Sequence, residues 1–231
     1  MCSHYQTVKS NAQFERHFGI APPGDGQAYD IWPGQAGHFV WLHSPALGAA
    51  GSLKVSSGVF GLLPHWAKDR SFGRHTYNAR LETATEKPSF RGAWTQAQHC
   101  IIPADAVFEP DWRSGRAVAA RITQASGEPL GIAGLWSRWR SDEGEVLSFT
   151  MLTVNADAHP LMRAFHKPGD EKRMVVVLPR ERYADWLQAP AAHSLELIRA
   201  CPAPDLVASL SSFTDDGRAT GAQVPQQSSL F

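Results

Sequence analysis

At 231 residues with 43% hydrophobic content, the chain is long enough to bury a substantial core, and its length suits one large domain. Twenty-two basic residues balance twenty-two acidic ones, so the molecule as a whole is no electrostatic sponge for nucleic acid and any such site must be local. No apolar run approaches the roughly 18–20 residues of a membrane span, and the polar N-terminus lacks a signal-peptide pattern, so the expectation is a cytoplasmic monomer with no membrane partner.

The chain opens "MCSHYQTVKS". A small residue at position 2 lets methionine aminopeptidase remove Met1, which would leave Cys2 with a free amine and a free thiol on adjacent carbons. From 37 to 203 the sequence alternates β-type runs with turn signals and a few helical stretches. Strands are expected over 38–43, 58–64, 99–110, 116–123, 130–139, 147–156 and 173–179, several of them apolar on successive residues as buried strands are. Helices are expected over 83–97, where Pro88 sets an internal limit, over 158–165, and over 180–188 after Pro179. The expected fold class is α+β: a mixed, largely antiparallel, curved β-sheet core with peripheral helices, spanning 2–212. Beyond Pro204 the composition shifts to Ser, Asp, Gly and Gln, which reads as a flexible tail over 213–231.

The three cysteines, Cys2, Cys100 and Cys201, are too widely spaced for a disulfide framework or a Cys-x-x-Cys motif, so neither metal nor cofactor is expected. Cys100 and Cys201 lie in apolar surroundings and read as small buried hydrophobes.

Four ordered pieces carry a resemblance: "MC" at the start, "GLLPHWAKD" followed by "YNARLET", "CIIPADAVFEPDW", and "FHKPGDEKRMVVVLP" followed by "YADWL". Together they span residues 1–190 and resemble the SOS-response-associated peptidase (SRAP) family, whose members cross-link to abasic sites in single-stranded DNA. The resemblance implies that Cys2 is the reactive residue and that Asn78, Glu109 and His166 match the remaining active-site positions. It also implies that Arg80 lies near the DNA, that Trp66 is an aromatic residue packed beside it, and that Arg173 matches the arginine following the histidine. The family name further implies a peptidase role, read as removal of the residue before Cys2.

The chemistry stands beside the family name. An abasic deoxyribose in its open form is an aldehyde; an α-amine condenses with it to a Schiff base, and the neighbouring thiol closes a thiazolidine ring. The ordinary pKa values of about 8 for the amine and about 8.5 for the thiol make deprotonation accessible. Glu109 is the candidate base, His166 the candidate proton donor, and Asn78 suits orientation. The same Schiff base permits β-elimination, so AP-lyase activity is a possible side reaction.

Blander readings stand beside each residue. Glu109 could be a solvent-facing strand end, Asn78 a turn residue, and His159 rather than His166 the histidine of interest. The chain also departs from the family: Ser3 and His4 follow the cysteine where Gly and Arg are common, and Pro110 follows Glu109, leaving Trp112 as the nearby aromatic.

A DNA path would need cations and aromatic faces. "DRSFGRHTYNAR" offers Arg70, Arg74, His75 and Arg80, and "WSRWR" offers Arg138 and Arg140 among Trp136 and Trp139, unless the latter is a strand with tryptophans inward and arginines solvated. The end "QQSSLF" resembles a bacterial sliding-clamp-binding peptide through Gln227, Leu230 and Phe231. The leading expectation is a DNA-damage protein that shields abasic sites covalently; the alternatives are an N-terminal-nucleophile cysteine amidohydrolase and a non-enzymatic clamp or DNA adaptor.

Overall fold

The computed structural model describes residues 2–24, 27–43, 51–142, 144–199, 204–213 and 219–223, the stretches 211–213 and 219–223 by backbone alone. In chain order the elements are β1 (Tyr5–Gln6), α1 (Asn11–Phe18), β2 (Asp30–Ile31), β3 (Ala36–His43), β4 (Ser52–Phe60), β5 (Asn78–Arg80), α2 (Pro88–Thr95), β6 (His99–Ala104) and β7 (Ala106–Asp111). There follow β8 (Val118–Gln124), β9 (Leu130–Ser141), β10 (Gly144–Asn155), β11 (Arg173–Val175), β12 (Val177–Leu178), α3 (Tyr183–Gln188), α4 (Ala191–Arg199), β13 (Leu206–Phe213) and β14 (Ala219–Gln223). Strands dominate and the helices are short and peripheral, the α+β architecture expected.

The pairings β10–β4, β4–β3, β3–β6, β6–β9 and β9–β10 return to their start, so these five strands close on themselves. Closure leaves no open edge in the ring. Among the described residues only the β10–β4 and β10–β5 pairings are parallel; β11 and β12 add antiparallel to β10 and β9. A second sheet runs β14-β13-β8-β7-β1-β2.

Period-two alternation sorts the side chains. On β6, Cys100 and Ile102 join the core shared by the closed strands and the second sheet, with Phe39, Phe60, Ile132, Phe149, Tyr5, Val107 and Ile122. Ile101 faces the other way, into a core built with Phe14, Phe18, Phe90, Trp94, Trp186 and Ile198 from the helices. Each such fully buried Leu, Ile or Phe contributes about 1.5–3 kcal/mol.

The run 99–110, expected as one strand, is two. The chain turns at Asp105, whose N–H donates to the Gln6 carbonyl at 2.8 Å, so that β6 lies in the closed ring and β7 in the second sheet. Expected helix 83–97 shrinks to α2 because Pro88 takes the first helical turn, where its missing N–H costs nothing. Expected helix 158–165 is only a 3-10 turn, Met162–Ala164, because His159 accepts the N–H groups of Leu161 and Met162 on Nδ1 in place of backbone partners. Helix α1, not anticipated, is capped by Ser10, whose Oγ accepts from Gln13 N, and stopped by Gly19 at φ +74°.

Within the stretch expected as tail, Ala219–Gln223 pairs antiparallel with β13. Gln227, Leu230, Phe231 and Cys201 lie outside the described residues. No helix among the described residues is long and apolar enough to cross a membrane.

Candidate active site

Cys2 lies three residues before Tyr5, the start of β1, which pairs with β7 so that Tyr5 faces Val107 and Gln6 faces Ala106. Glu109 is two residues further along β7. Asn78 opens β5, a strand held parallel to β10 by pairing with Met151. His166 enters from the loop before β11, tied to β7 by its own N–H on the Pro110 carbonyl at 2.9 Å and by the Asp111–Phe165 bridge. Three strands and one loop, from both sheets, therefore bring the four expected residues together.

The contacts are specific. Asn78 Nδ2 donates to the Cys2 carbonyl at 2.6 Å, which fixes the backbone at Cys2. His166 Nε2 lies 3.5 Å from Glu109 Oε2 and 2.8 Å from the Arg173 carbonyl. A carbonyl can only accept, so Nε2 carries the proton and Nδ1 is the acceptor in the neutral ring. His166 sits at φ +64°, a conformation rare for a residue with a side chain, held by these bonds on both sides.

Burial sets the electrostatics. Cys2 is 1% exposed and Glu109 2%. Desolvation, reinforced by the Glu109 charge, pushes the Cys2 thiol up to about 12, so the accessible deprotonation expected for an ordinary thiol does not hold at this one. Desolvation likewise raises Glu109 to about 7, with the positive amino terminus of the chain working against it. Burial lowers His166, which stays neutral at neutral pH. Glu109 is thus poised between its two forms near pH 7, the condition for moving a proton in either direction.

The bland alternatives resolve accordingly. Glu109 is not a solvent-facing strand end, Asn78 is not a turn residue, and His159 caps the 3-10 turn described above. Cys100 is fully buried in the core. No group of three or more His, Cys, Asp or Glu among the described residues could hold a metal ion.

The residues expected along a DNA path divide. Trp66 is 44% exposed and packs edge-on to Phe72, with ring centroids 5.0 Å apart. Arg70, Arg74 and His75 are exposed on the 3-10 helix Arg70–His75. Arg80 is exposed and ion-paired to Glu171 at 2.9 Å. Trp112 is half-buried beneath the Lys167 ammonium, 6.0 Å from its ring. Arg138 and Arg140 point outward and share Glu145, whereas Trp139 is buried and donates to the Ala67 carbonyl. Arg173 does not face solvent: it is 3% exposed, with its guanidinium on Glu82, Glu171 and the Thr153 carbonyl. Such a residue shapes the wall behind His166 and holds its carbonyl in place.

Sequence reasoning missed a feature beside the site. His4 is sandwiched between Trp32 and Phe108, at centroid distances of 4.0 and 4.1 Å with nearly parallel rings, and its Nε2 meets Asp30 Oδ1 at 2.8 Å. The departure from Arg at position 4 was visible, but nothing in "IWPG" announces a ring-on-ring partner.

Against known proteins, the family profile "SOS response associated peptidase (SRAP)" matches residues 1–211. The chain belongs to the SRAP family. It is similar to a crystal structure of a Bordetella bronchiseptica protein, at 44% identity and a TM-score of 0.79, over 91% of this chain and all of that one. A Bacteroides thetaiotaomicron structure at 20% identity and TM-score 0.73, covering 91% of this chain and 92% of its own, shares the SRAP fold. Among curated proteins, the abasic site processing protein YoqW of Bacillus subtilis is 37% identical over 131 residues, 55% of this chain and 54% of its own length. The abasic site processing protein HMCES of Gallus gallus is 24% identical over 165 residues, 61% and 48% of the two chains. The chain thus spans about half the length of the curated relatives it matches.

Proposed function

We propose that this SRAP protein captures abasic sites in single-stranded DNA as a covalent, reversible thiazolidine at Cys2. The observation that carries the reading is the convergence on Cys2: Asn78 bonded to its carbonyl, and Glu109 and His166 3.5 Å apart within the same buried site. The names of the curated relatives, which are abasic site processing proteins, supply the substrate class.

With Met1 removed, the Cys2 amine adds to the aldehyde carbon of the opened deoxyribose, and water leaves to give the Schiff base. The thiol sulfur then adds to that carbon while the thiol proton passes to nitrogen, so one water is released overall. Both stages need a group that takes a proton and returns it. Glu109, its pKa raised by burial, accepts from the amine or thiol and donates to the departing oxygen, and the reverse sequence reopens the ring. A thiol near pKa 12 attacks only as its proton is taken, so the sulfur is inert until a Schiff base is beside it. Neutral His166, its Nε2–H directed at the Arg173 carbonyl and 3.5 Å from Glu109 Oε2, lines the carboxylate's pocket rather than donating the proton itself. Loss of a C2 proton from the same Schiff base gives strand cleavage, the AP-lyase outcome. Self-removal of Met1 by this site, and delivery by Gln227, Leu230 and Phe231 to a replication clamp, extend the reading.

The test is a denaturing gel of protein verified to begin at Cys2, mixed with single-stranded DNA bearing one abasic site. A slow band in the parent, absent in Cys2→Ala, is expected. Absence of the band from the parent overturns the proposal and redirects work to amide substrates.

A further inference from the structure

Among the described residues, the large hydrophobic side chains that stand open to water are Trp32, Trp66 and Leu210. A single exposed tryptophan needs no explanation. Trp32 differs in how it is held. His4 lies parallel to the indole, 4.0 Å away at 6°, and Phe108 lies 4.1 Å beyond at 12°, so the pile ends in an indole, and 45% of the Trp32 residue remains exposed.

The turn beneath it is rigid. Trp32 N donates to Gln35 Oε1 at 2.9 Å and Gln35 N returns to the Trp32 carbonyl at 3.0 Å. Gly34 N and the Gln35 carbonyl are both bonded to Phe60 of β4 at 2.8 Å. A preorganised ring of this kind loses little entropy when a second flat group stacks on it.

A cation completes the arrangement. The side chain of Arg74 runs over the same turn, its Cγ and Nε lying 3.9 and 4.0 Å from where a Cβ on Gly34 would stand. Arg74 is exposed and forms no ion pair among the described residues. The 3-10 helix that carries Arg74 also carries Phe72, against which Trp66 packs. The pile is built on the strands that bear the reactive groups: His4 is two residues from Cys2, and Phe108 adjoins Glu109.

We infer that the exposed indole of Trp32 is a stacking platform for a nucleobase flanking the abasic nucleotide in single-stranded DNA, and that Arg74 takes the adjoining phosphate. An aromatic face beside a cation is the chemistry that single strands select, because each base has a π-face and each nucleotide a negative charge. Trp32 is therefore a positioning residue: it holds the neighbouring base so that the baseless sugar is presented to Cys2. The inference rests on the proposed abasic-site reading, yet it is separable from it.

The experiment uses the full chain and two single-stranded oligonucleotides with a tetrahydrofuran abasic analogue, which has no aldehyde and cannot cross-link. One carries ordinary bases on both sides of the analogue; in the other those neighbours are analogues too. Fluorescence anisotropy gives the affinities. Trp32→Ala is expected to weaken binding of the first by roughly five- to hundredfold. It should change the second by about twofold or less, and Trp32→Phe should recover most of the loss, since stacking needs a flat ring rather than an indole. Arg74→Gln should weaken both alike and lower the salt dependence of binding by about one phosphate contact. Equal binding of the first oligonucleotide by parent and Trp32→Ala, as a protein-docking role for Trp32 would give, overturns the inference. So does an equal loss on both that Trp32→Phe fails to rescue. The gel with the natural abasic aldehyde separates the two readings. A band in the parent with no Trp32 dependence in anisotropy sinks only the platform, and Trp32 dependence without a band sinks only the covalent chemistry.

Discussion

Two of the histidine–carboxylate pairs among the described residues, at His166 and at His17, look alike by distance and differ in what they can do. His166 and Glu109 approach to 3.5 Å with both side chains buried. His17 and Glu128 approach to 3.2 Å, but the Glu128 side chain is 45% exposed, and the other His17 nitrogen is 3.1 Å from the Tyr183 hydroxyl. In the second pair water solvates the acid, and the assembly links α1 to α3 across a cleft of about 410 Å³ lined by Phe18, Leu42, Tyr183 and Leu187. In the first the acid has lost its water, and desolvation lifts it to about 7. The lesson is that burial of the carboxylate, rather than contact with an imidazole, separates an acid that titrates near neutrality from a solvated ion-pair partner.

The largest expected effect breaks the first pair. Glu109→Gln keeps the shape and removes the titration, so the single-turnover cross-linking rate should fall by roughly 10²–10⁴. The parent rate should drop as pH falls through about 7, because the basic form of Glu109 is lost there. The variant's residual rate should show no such limb. A variant that cross-links as fast as the parent would remove Glu109 from the proton path.

The same burial has a cost in stability with a definite sign. Glu109 is raised from an ordinary value of 4.5 to about 7, so its neutral form is the one the folded state prefers. Its contribution is present in full below pH 4.5 and is lost as pH rises through about 7. The difference amounts to about 3 kcal/mol. Urea midpoints measured between pH 4 and 8 should show the parent losing stability relative to Glu109→Gln across that window. Parallel curves would show that the carboxylate is solvated in solution.

Breaking the second pair should do the converse. His17→Ala leaves the Tyr183 hydroxyl without its partner in a buried position, which costs about 1–3 kcal/mol of folding stability. Cross-linking rate per folded molecule should be unchanged. A loss of rate with unchanged stability would mean that the cleft under α1 belongs to the chemistry after all.

Much of this was legible before the fold was known. The apolar runs that became β3, β6, β9 and β10 announce themselves because a strand buried on both faces must be hydrophobic on successive residues. In "WSRWR", the choice between a DNA patch and an alternating strand goes to the strand for Trp139, which is buried, with Arg138 and Arg140 outside. What composition cannot carry is the change of sheet at Asp105, because "CIIPADAVF" is apolar on both sides of the turn and the switch is decided by Gln6, a hundred residues away. β1, β2 and β5 are two or three residues long, too short for any periodicity; β1 and β5 exist because β7 and β10 offer them an edge, and β2 pairs in turn on β1. Helix α1 carries its signals, Ser10 before and Gly19 after, but at eight residues it has no long apolar stripe to announce it. At the site, the four residue types pointed to the chemistry, but not their burial. That burial lifts the Cys2 thiol to about 12, well above the ordinary thiol range.

The smallest expected effect tests the comparison at its exposed end. Glu171 bridges exposed Arg80 at 2.9 Å and buried Arg173 at 2.8 Å, one carboxylate oxygen to each. It stands on the arginine that the SRAP resemblance places near DNA, as a phosphate would. If exposed carboxylates are clamps of little energy, replacing this one should change little on either count. An exposed ion pair contributes about 0–1 kcal/mol, and Arg173 keeps Glu82 and the Thr153 carbonyl after the change. Glu171→Gln should therefore leave the urea midpoint nearly where it was. It should tighten single-stranded DNA binding by no more than about fivefold at low salt, because Arg80 no longer has an internal anion to leave, and screening should erase the gain as salt rises. A gain that survives high salt would instead mean that Glu171 closes the DNA path by its position and not by its charge.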